Sequence, residues 1–373
     1  GAGRESPEEA LRTWHGKAEG RAAIDYGFHL TVTAVPEDHR DAVERFRGFA
    51  AEGVTSVKLY LAYPERLMVD APTLRRALAA GREAGVLVCV HAEDGLEAVR
   101  RTRAVLARGE TGPSGIVEAR PPAIEAAAIR TAAELALEAG AALYVVHLSS
   151  AEGLAAVRTA RERGARVLAE TCPQYLFLTD GVLRASPEIA QDFLCTPPVR
   201  MDTDREALWD ALGVGDVDAV STDHCPFTTV DRRRGTTGDG WTDFTQIPGG
   251  LPGVETRLSL AYQGVVEGRL SLERWVDVVA TSPARLFGLG DRKGRLEPGM
   301  DADVVVFDPA ATRRLDTASL HMRTDHSPYA STTVTGWPAV TISRGTAVAR
   351  GGEPADDLRI GRGRYLRRTP STR

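Results

Sequence analysis

The sequence predicts an α/β protein built on a (β/α)8 barrel, with a smaller β-sandwich domain after it. Three observations carry this. Near-continuous apolar runs of strand length alternate with amphipathic helical stretches over roughly the first 285 residues, the pattern of a parallel sheet covered on both faces. Four of the runs end in a polar, metal-competent side chain: Lys58, His91, His147 and Asp223. A closed barrel gathers functional groups from many strand ends at one mouth, which favours it over the doubly wound sheet that alternation alone also permits. From about residue 290 the pattern changes to short alternating segments separated by Gly and Pro, as in antiparallel strands.

The elements follow in order. Ser6-Pro7-Glu8-Glu9 is a capping box with Pro at the first helical position, opening a helix toward Ala18. Residues 22–32 (AAIDYGFHLTV) read as a strand, 38–51 as a helix and VTSVKLYL (54–61) as the next strand. A helix runs from near Pro72 to Glu83, followed by the apolar strand VLVCV (86–90). Helices near 94–108 and 121–139 precede the strand ALYVVHL (142–148), and a further helix starts at Ser150. ARVLAET (165–171) and DVDAVST (216–222) are the last two of six such strands, which fall short of eight. Residues 228–243 form a long Gly- and charge-rich loop directly after Asp223, and loops of that length in compact domains are functional or mobile. The expected divisions are a barrel over 1–289, part of a small β domain over 290–352 and an extended, basic tail over 353–373.

Composition excludes several classes. A net charge of −5 without a long basic block argues against nucleic acid as a partner. No apolar run approaches ~18 residues, so no membrane span is expected, and the amino terminus has no apolar signal core. Four scattered cysteines without a CxxC pair read as buried free thiols of a cytoplasmic protein.

The lysine is the unusual member of the quartet. Of 46 basic residues only three are lysines: Lys17, Lys58 and Lys293. Arginine stays charged, whereas a buried lysine can lose its proton and react as an amine. A single His at a strand end is more often a packed core residue than a ligand, and Asp223 could merely cap the turn at His224. Four such residues at four converging strand ends are a different matter. Neutral imidazole suits Zn, Mn, Fe, Co and Ni, and carboxylate suits the harder of these. An ammonium has no lone pair to offer. An amine beside cations could instead capture carbon dioxide as a carbamate, an anion able to bridge two metals. His15, His39, His321 and His326 are expected on the surface and His29 in the core.

The stretches GVTSVKLYLAY (53–63), VCVHAEDG (88–95), VHLSSAEGL (146–154), AETCPQYLFLTD (169–180), FLCTPPVR (193–200), STDHCPF (221–227), FTQIPGGLPGVETRL (244–258) and KGRLEPGMDADVVVFDP (293–309) resemble the cyclic amidohydrolases, specifically the dihydropyrimidinase/hydantoinase branch. The resemblance runs almost end to end. It implies a TIM-type barrel whose first two strands are not in this sequence. It also implies two divalent ions, zinc foremost with Mn, Co or Fe as alternatives. By the same resemblance Lys58 is the carboxylated bridging lysine (N6-carboxylysine, formed with carbon dioxide), and His91 and His147 hold the second metal. Asp223 holds the first metal and is the catalytic base, and Tyr63 binds substrate and its oxyanion. Thr196 stands where the family usually has Ser, whose backbone contacts the cyclic amide. Gly249 stands where it usually has Asn, which leaves allantoin-like rings open as substrates. A His-x-His pair expected on the first strand occurs nowhere in the 373 residues. The expectation is therefore an amino-terminal portion ahead of Gly1 that carries it; on these residues alone only the Lys58/His91/His147 side is complete.

The activity implied is opening of a hydantoin or 5,6-dihydropyrimidine to an N-carbamoyl amino acid by a hydroxide bridging the metals. An allantoinase-like or dihydroorotase-like ring opener is the nearest alternative, and a non-catalytic scaffold of the same fold a more distant one. The partners implied are a small cyclic ureide and further copies of the chain, as a tetramer or dimer. Leu67 and Met68 are expected either to wall the substrate side group or to pack under their loop.

Overall fold

A computed structural model describes residues 5–64 and 66–370. Six parallel strands form one sheet: β1 (Leu30–Thr31), β2 (Ser56–Tyr60), β3 (Leu87–His91), β4 (Ala142–Val145), β5 (Arg166–Thr171) and β6 (Ala219–Val220). Their spatial order equals their chain order. A doubly wound sheet would reverse direction at a switch point; this one never does, as in a barrel wall.

The helix α1 (Pro7–Ala18) precedes β1, and between the strands lie α2 (His39–Ala51), α3 (Ala71–Ala84), α4 (Gly95–Ala107), α5 (Gly115–Ala119), α6 (Pro122–Ala139) and α7 (Ala151–Glu162). Side-chain acceptors close the first turns of five of them: Ser6 in the expected capping box, then Asp38, Asp70, Asp94 and Ser150. Each satisfies a backbone N–H left free at a helix start. The α3 and α6 helices end in left-handed glycines, Gly85 and Gly140.

The sheet separates two apolar layers. Val57, Leu59, Val88, Val90, Leu143 and Val145 belong to the large core shared with the helices. Leu87, Cys89, Tyr144, Val146 and Leu286 form a smaller cluster of their own. Parallel pairing sets Lys58 opposite Cys89 and Tyr60 opposite His91. Successive side chains alternate between faces, so Lys58, Tyr60, Cys89 and His91 share the face of the smaller cluster. The same register brings the carboxyl ends of β2 and β3 to one level.

The carboxyl-terminal strands β7 (Val304–Arg314), β8 (Thr333–Ser343), β9 (Thr346–Arg350) and β10 (Glu353–Pro354) form an antiparallel sheet in the order β10-β9-β8-β7. It packs on the helix Arg257–Val266, where Tyr262 meets Trp275 and Phe307 edge-on. Gly336, at φ 91°, lies so close to Tyr262 that a Cβ would come within 2.4 Å of its ring.

Five expectations change. The strand read over 22–32 shrinks to Leu30–Thr31, with an isolated bridge from Tyr26 to Tyr365. The segment read as loop over 228–243 contains the helix Thr229–Arg234. The basic tail is extended but docked: Tyr365 stacks on Phe28 at 5.7 Å, and Arg368 is buried and donates to Ser56 Oγ and the Phe28 carbonyl. His29, expected in the core, is exposed beside the edge strand β1, with Nδ1 2.6 Å from Ser56 Oγ. Of the histidines expected at the surface, His39 and His321 are exposed, whereas His15 and His326 are half-buried. All four cysteines are free, three of them buried. Among the described residues no helix is long and apolar enough to cross a membrane.

Candidate active site

Lys58, Tyr63, His91, His147, Thr196, Asp223 and Gly249 all line one cavity of about 1120 Å³ at the carboxyl ends of the strands. A second cavity of about 970 Å³ lies at the opposite end of the sheet, against Leu87, Ala142 and Arg166, and holds none of them.

Alternation alone would not aim every one of these side chains inward. Tyr144 and Val146 share the inner cluster, so His147 would fall on the outer face. Its backbone is left-handed instead, at φ 43°, and this re-aims the imidazole. Asp223 (φ 45°) and Tyr63 (φ 64°) share that conformation. It is costly for a residue bearing a Cβ and clusters at functional sites.

His91 and His147 are both 2% exposed, and His91 Nδ1 lies 2.9 Å from His147 Nε2. Burial pushes both imidazoles below their ordinary range, His147 well below it with help from His91 and Lys58. Both are therefore neutral near pH 7. The Nε2 of His91 points at Glu93 Oε2, 2.7 Å away. A carboxylate accepts there, so the proton sits on Nε2 and the Nδ1 lone pair faces His147. The Nδ1 of His147 is buried without a partner. Glu93 is fully buried and also accepts from Arg120 at 2.6 Å. Burial raises its carboxyl, but Arg120 and His91 outweigh that and hold it at about 2.

Lys58 lies 5.0 Å from the Tyr60 ring. Burial lowers its ammonium, yet Tyr60, Asp223 and Glu170 reverse this and the net direction is upward. Burial alone does not free the amine, contrary to the expectation from sequence; cations placed among these acidic groups would have to do so. Glu170 itself is raised by burial and accepts from Tyr144 at 2.8 Å.

Across the cavity, Tyr63 Oη is 2.5 Å from Thr196 Oγ1, and the Arg120 guanidinium lies 5.2 Å from the Tyr63 ring centroid. Burial raises the Tyr63 phenol, with Arg120 opposing, so the hydroxyl keeps its proton and can donate. A Cβ at Gly249 would meet nothing nearer than Thr196 Oγ1 at 3.7 Å, which leaves room for a side chain. Leu67 lines the cavity, as do Asp231, Arg234 and residues 235–238 of the charge-rich segment. Met68 instead bridges back to Tyr60.

Among the described residues no three of His, Cys, Asp and Glu converge closely enough to hold a metal by themselves. What converges is a pair of neutral imidazoles with Lys58 and Asp223 in the same cavity. That donor set fits a divalent cation: facing lone pairs, one orphaned ring nitrogen, and a carboxylate behind the first ligand to fix its tautomer. Sequence reasoning missed Glu93, Glu170 and Arg120. A signal existed for two of them, since Glu93 follows His91 by two residues and Glu170 sits inside the strand ARVLAET.

The model of the amidohydrolase family matches residues 17–348. A D-hydantoinase of Streptomyces coelicolor is 42% identical over 344 residues, 92% of this chain and 72% of that protein. The crystal structure of dihydropyrimidinase from Brevibacillus agri superposes with a TM-score of 0.94 at 38% identity, covering 100% of this chain and 79% of that one. A D-hydantoinase of a Bacillus species, described with evidence for mercury inhibition, gives 0.93 at 38% identity, covering 99% and 79%.

Proposed function

The chain belongs to the amidohydrolase family, and from that premise we propose that it opens hydantoin or 5,6-dihydropyrimidine rings by hydrolysis to N-carbamoyl amino acids. The observation that carries the proposal is the facing pair His91/His147 in one cavity with Lys58, Asp223 and the Tyr63–Thr196 hydroxyls. The relatives named for hydantoin and dihydropyrimidine hydrolysis support the substrate class.

The family generally depends on two metal ions. In this proposal His91, His147, Asp223 and Lys58, as its carbamate, would hold these ions; zinc suits the imidazole set best. Bound there, divalent cations would supply Lewis acidity and lower the pKa of water toward neutral. Asp223 takes the proton of the attacking water and delivers it to the ring nitrogen as the carbon–nitrogen bond breaks. Tyr63 donates its hydroxyl to the carbonyl oxygen as charge develops there. Thr196 and Gly249 hold the ring through their main-chain groups. Water adds across one amide bond, leaving a carboxylate and a ureido group.

The decisive experiment incubates the metal-supplemented protein with hydantoin, dihydrouracil, allantoin and dihydroorotate in parallel and measures each ring-opened product. Hydantoin or dihydrouracil is expected to react fastest. The space at Gly249 favours allantoin as runner-up, and a higher kcat/KM for it would move the substrate assignment. Metal bound without turnover on any ring would overturn the proposal, and absence of bound metal would favour a scaffold of the same fold. We extend the proposal to a cytoplasmic homo-oligomer, dimer or tetramer. The buried free thiols Cys89, Cys172 and Cys195 suit a reducing compartment, and light scattering reads the assembly.

A further inference from the structure

We propose that Arg232 is the positioning residue for ring binding: its buried guanidinium ties together the two main-chain stretches that hold the ring in the function proposed above. Arg232 lies on the helix Thr229–Arg234, capped by Thr228. Its neighbours Arg233 and Arg234 are exposed, while Arg232 is 0% exposed.

Its contacts are backbone carbonyls from two separate stretches. Nη1 donates to Gln191 O at 3.0 Å, Pro248 O at 3.3 Å and Leu194 O at 3.4 Å, and Nη2 donates to Gly250 O. Among the described residues no carboxylate forms an ion pair with it. Burial accordingly lowers its pKa. A buried charge solvated only by carbonyl dipoles is expensive, and a planar fork reaching both stretches cannot be replaced by the single point of an ammonium.

The carbonyls it holds bracket the ring-facing residues. Pro248 and Gly250 flank Gly249, whose own N–H and C=O have no partner among the described residues and which lines the cavity. Leu194 precedes Thr196 by two residues, and its carbonyl also accepts from the Gly250 N–H at 2.9 Å. Gly250, at φ 140°, has no room for a side chain, since a Cβ would come within 2.5 Å of Cys225 Sγ. Arg232 thus sets the spacing between Thr196 and Gly249 without reaching the cavity itself. It shares its short helix with Asp231 and Arg234, which line the cavity.

The test compares the full-length parent with Arg232→Lys and Arg232→Ala, each loaded with zinc, by steady-state kinetics on hydantoin and by amide hydrogen exchange. Arg232→Lys is expected to raise KM at least ~10-fold with kcat changed less than ~3-fold, the signature of lost ring binding rather than lost chemistry. Metal content stays at the parent level, and added guanidinium salt lowers the KM of Arg232→Ala. Amides in the peptides spanning 192–197 and 246–252 exchange faster in both variants. An unchanged KM, with kcat falling in step with the folded fraction, would show a merely structural arginine and overturn the inference. If the parent opens no ring, the proposed function fails, and exchange alone decides: unchanged rates in both peptides refute the positioning role.

Discussion

Replacing Glu93 by Gln removes a charge from the site while nearly keeping its shape. In the native protein the carboxylate is fully buried and accepts from His91 Nε2 at 2.7 Å and Arg120 Nη1 at 2.6 Å. His91 is itself pushed toward neutrality by burial, so Arg120 supplies the counter-charge. The carboxyl drops from an ordinary 4.5 to about 2 on folding, a difference equivalent to about 3 kcal/mol of stability at neutral pH. The folded value is the lower one, so this contribution is complete above about 4.5 and is lost as pH falls toward about 2. Urea unfolding of the metal-free parent and Glu93→Gln should therefore differ by about 3 kcal/mol near pH 7, with the gap narrowing steadily below pH 4.5. The same substitution frees the His91 tautomer, so zinc affinity should fall roughly 10–100-fold in an equilibrium titration. A stability gap of constant size down to pH 2 would assign the loss to packing rather than charge. Unchanged zinc affinity would refute the claim that Glu93 orients His91.

Two further predictions concern the chemistry. Asp223→Asn should keep the fold and much of the bound metal but lower kcat by several powers of ten, at least the ~10²–10⁴ typical of a lost general base; near-parental turnover in that variant would remove Asp223 from the role. Native mass spectrometry of the metal-loaded protein should show one added carbon dioxide that is lost on acid treatment and absent from Lys58→Arg. An active, metal-loaded sample with an unmodified Lys58 would exclude the carbamate.

The parts of the site legible in the sequence are those where a polar residue interrupts an apolar run. Lys58, His91 and His147 each do so, and their strands carry enough β-branched and aliphatic residues to be read without a partner. What alternation could not show is the direction of the side chain past the strand end. His147, Asp223 and Tyr63 reach the cavity only through left-handed backbone, a conformation uncommon for any residue with a Cβ; Asp and His are enriched there, but too weakly for the sequence to mark these positions. The over-long strand at 22–32 has a related cause. Its residues alternate well enough to be read as a strand, but β1 pairs on one side only, with β2, and beyond Leu30–Thr31 no further ladder to β2 forms.

Buried arginines were the larger blind spot. Arg120, Arg232 and Arg368 all sit in stretches whose charge, Gly or Pro content reads as solvent-facing, and yet two of the three are among the most buried polar residues. Composition treats an arginine as hydrated. The structure pairs Arg120 with Glu93, holds Arg232 by main-chain carbonyls and holds Arg368 by a main-chain carbonyl and Ser56 Oγ, partners that come from residues distant in the chain and so leave no local pattern. The contrast with lysine is physical. A chain that solves its structural charge problems with the permanently charged, forked side chain has no packing reason to keep an amine at the end of β2. The net upward direction at Lys58 sharpens this: the Tyr60 phenol and the Asp223 and Glu170 carboxyls around it favour a cation there, and divalent ions among those same groups would compete for it. Metal binding and release of the lysine proton are then two readings of one electrostatic pocket. Carbamate formation should accordingly depend on metal loading rather than precede it.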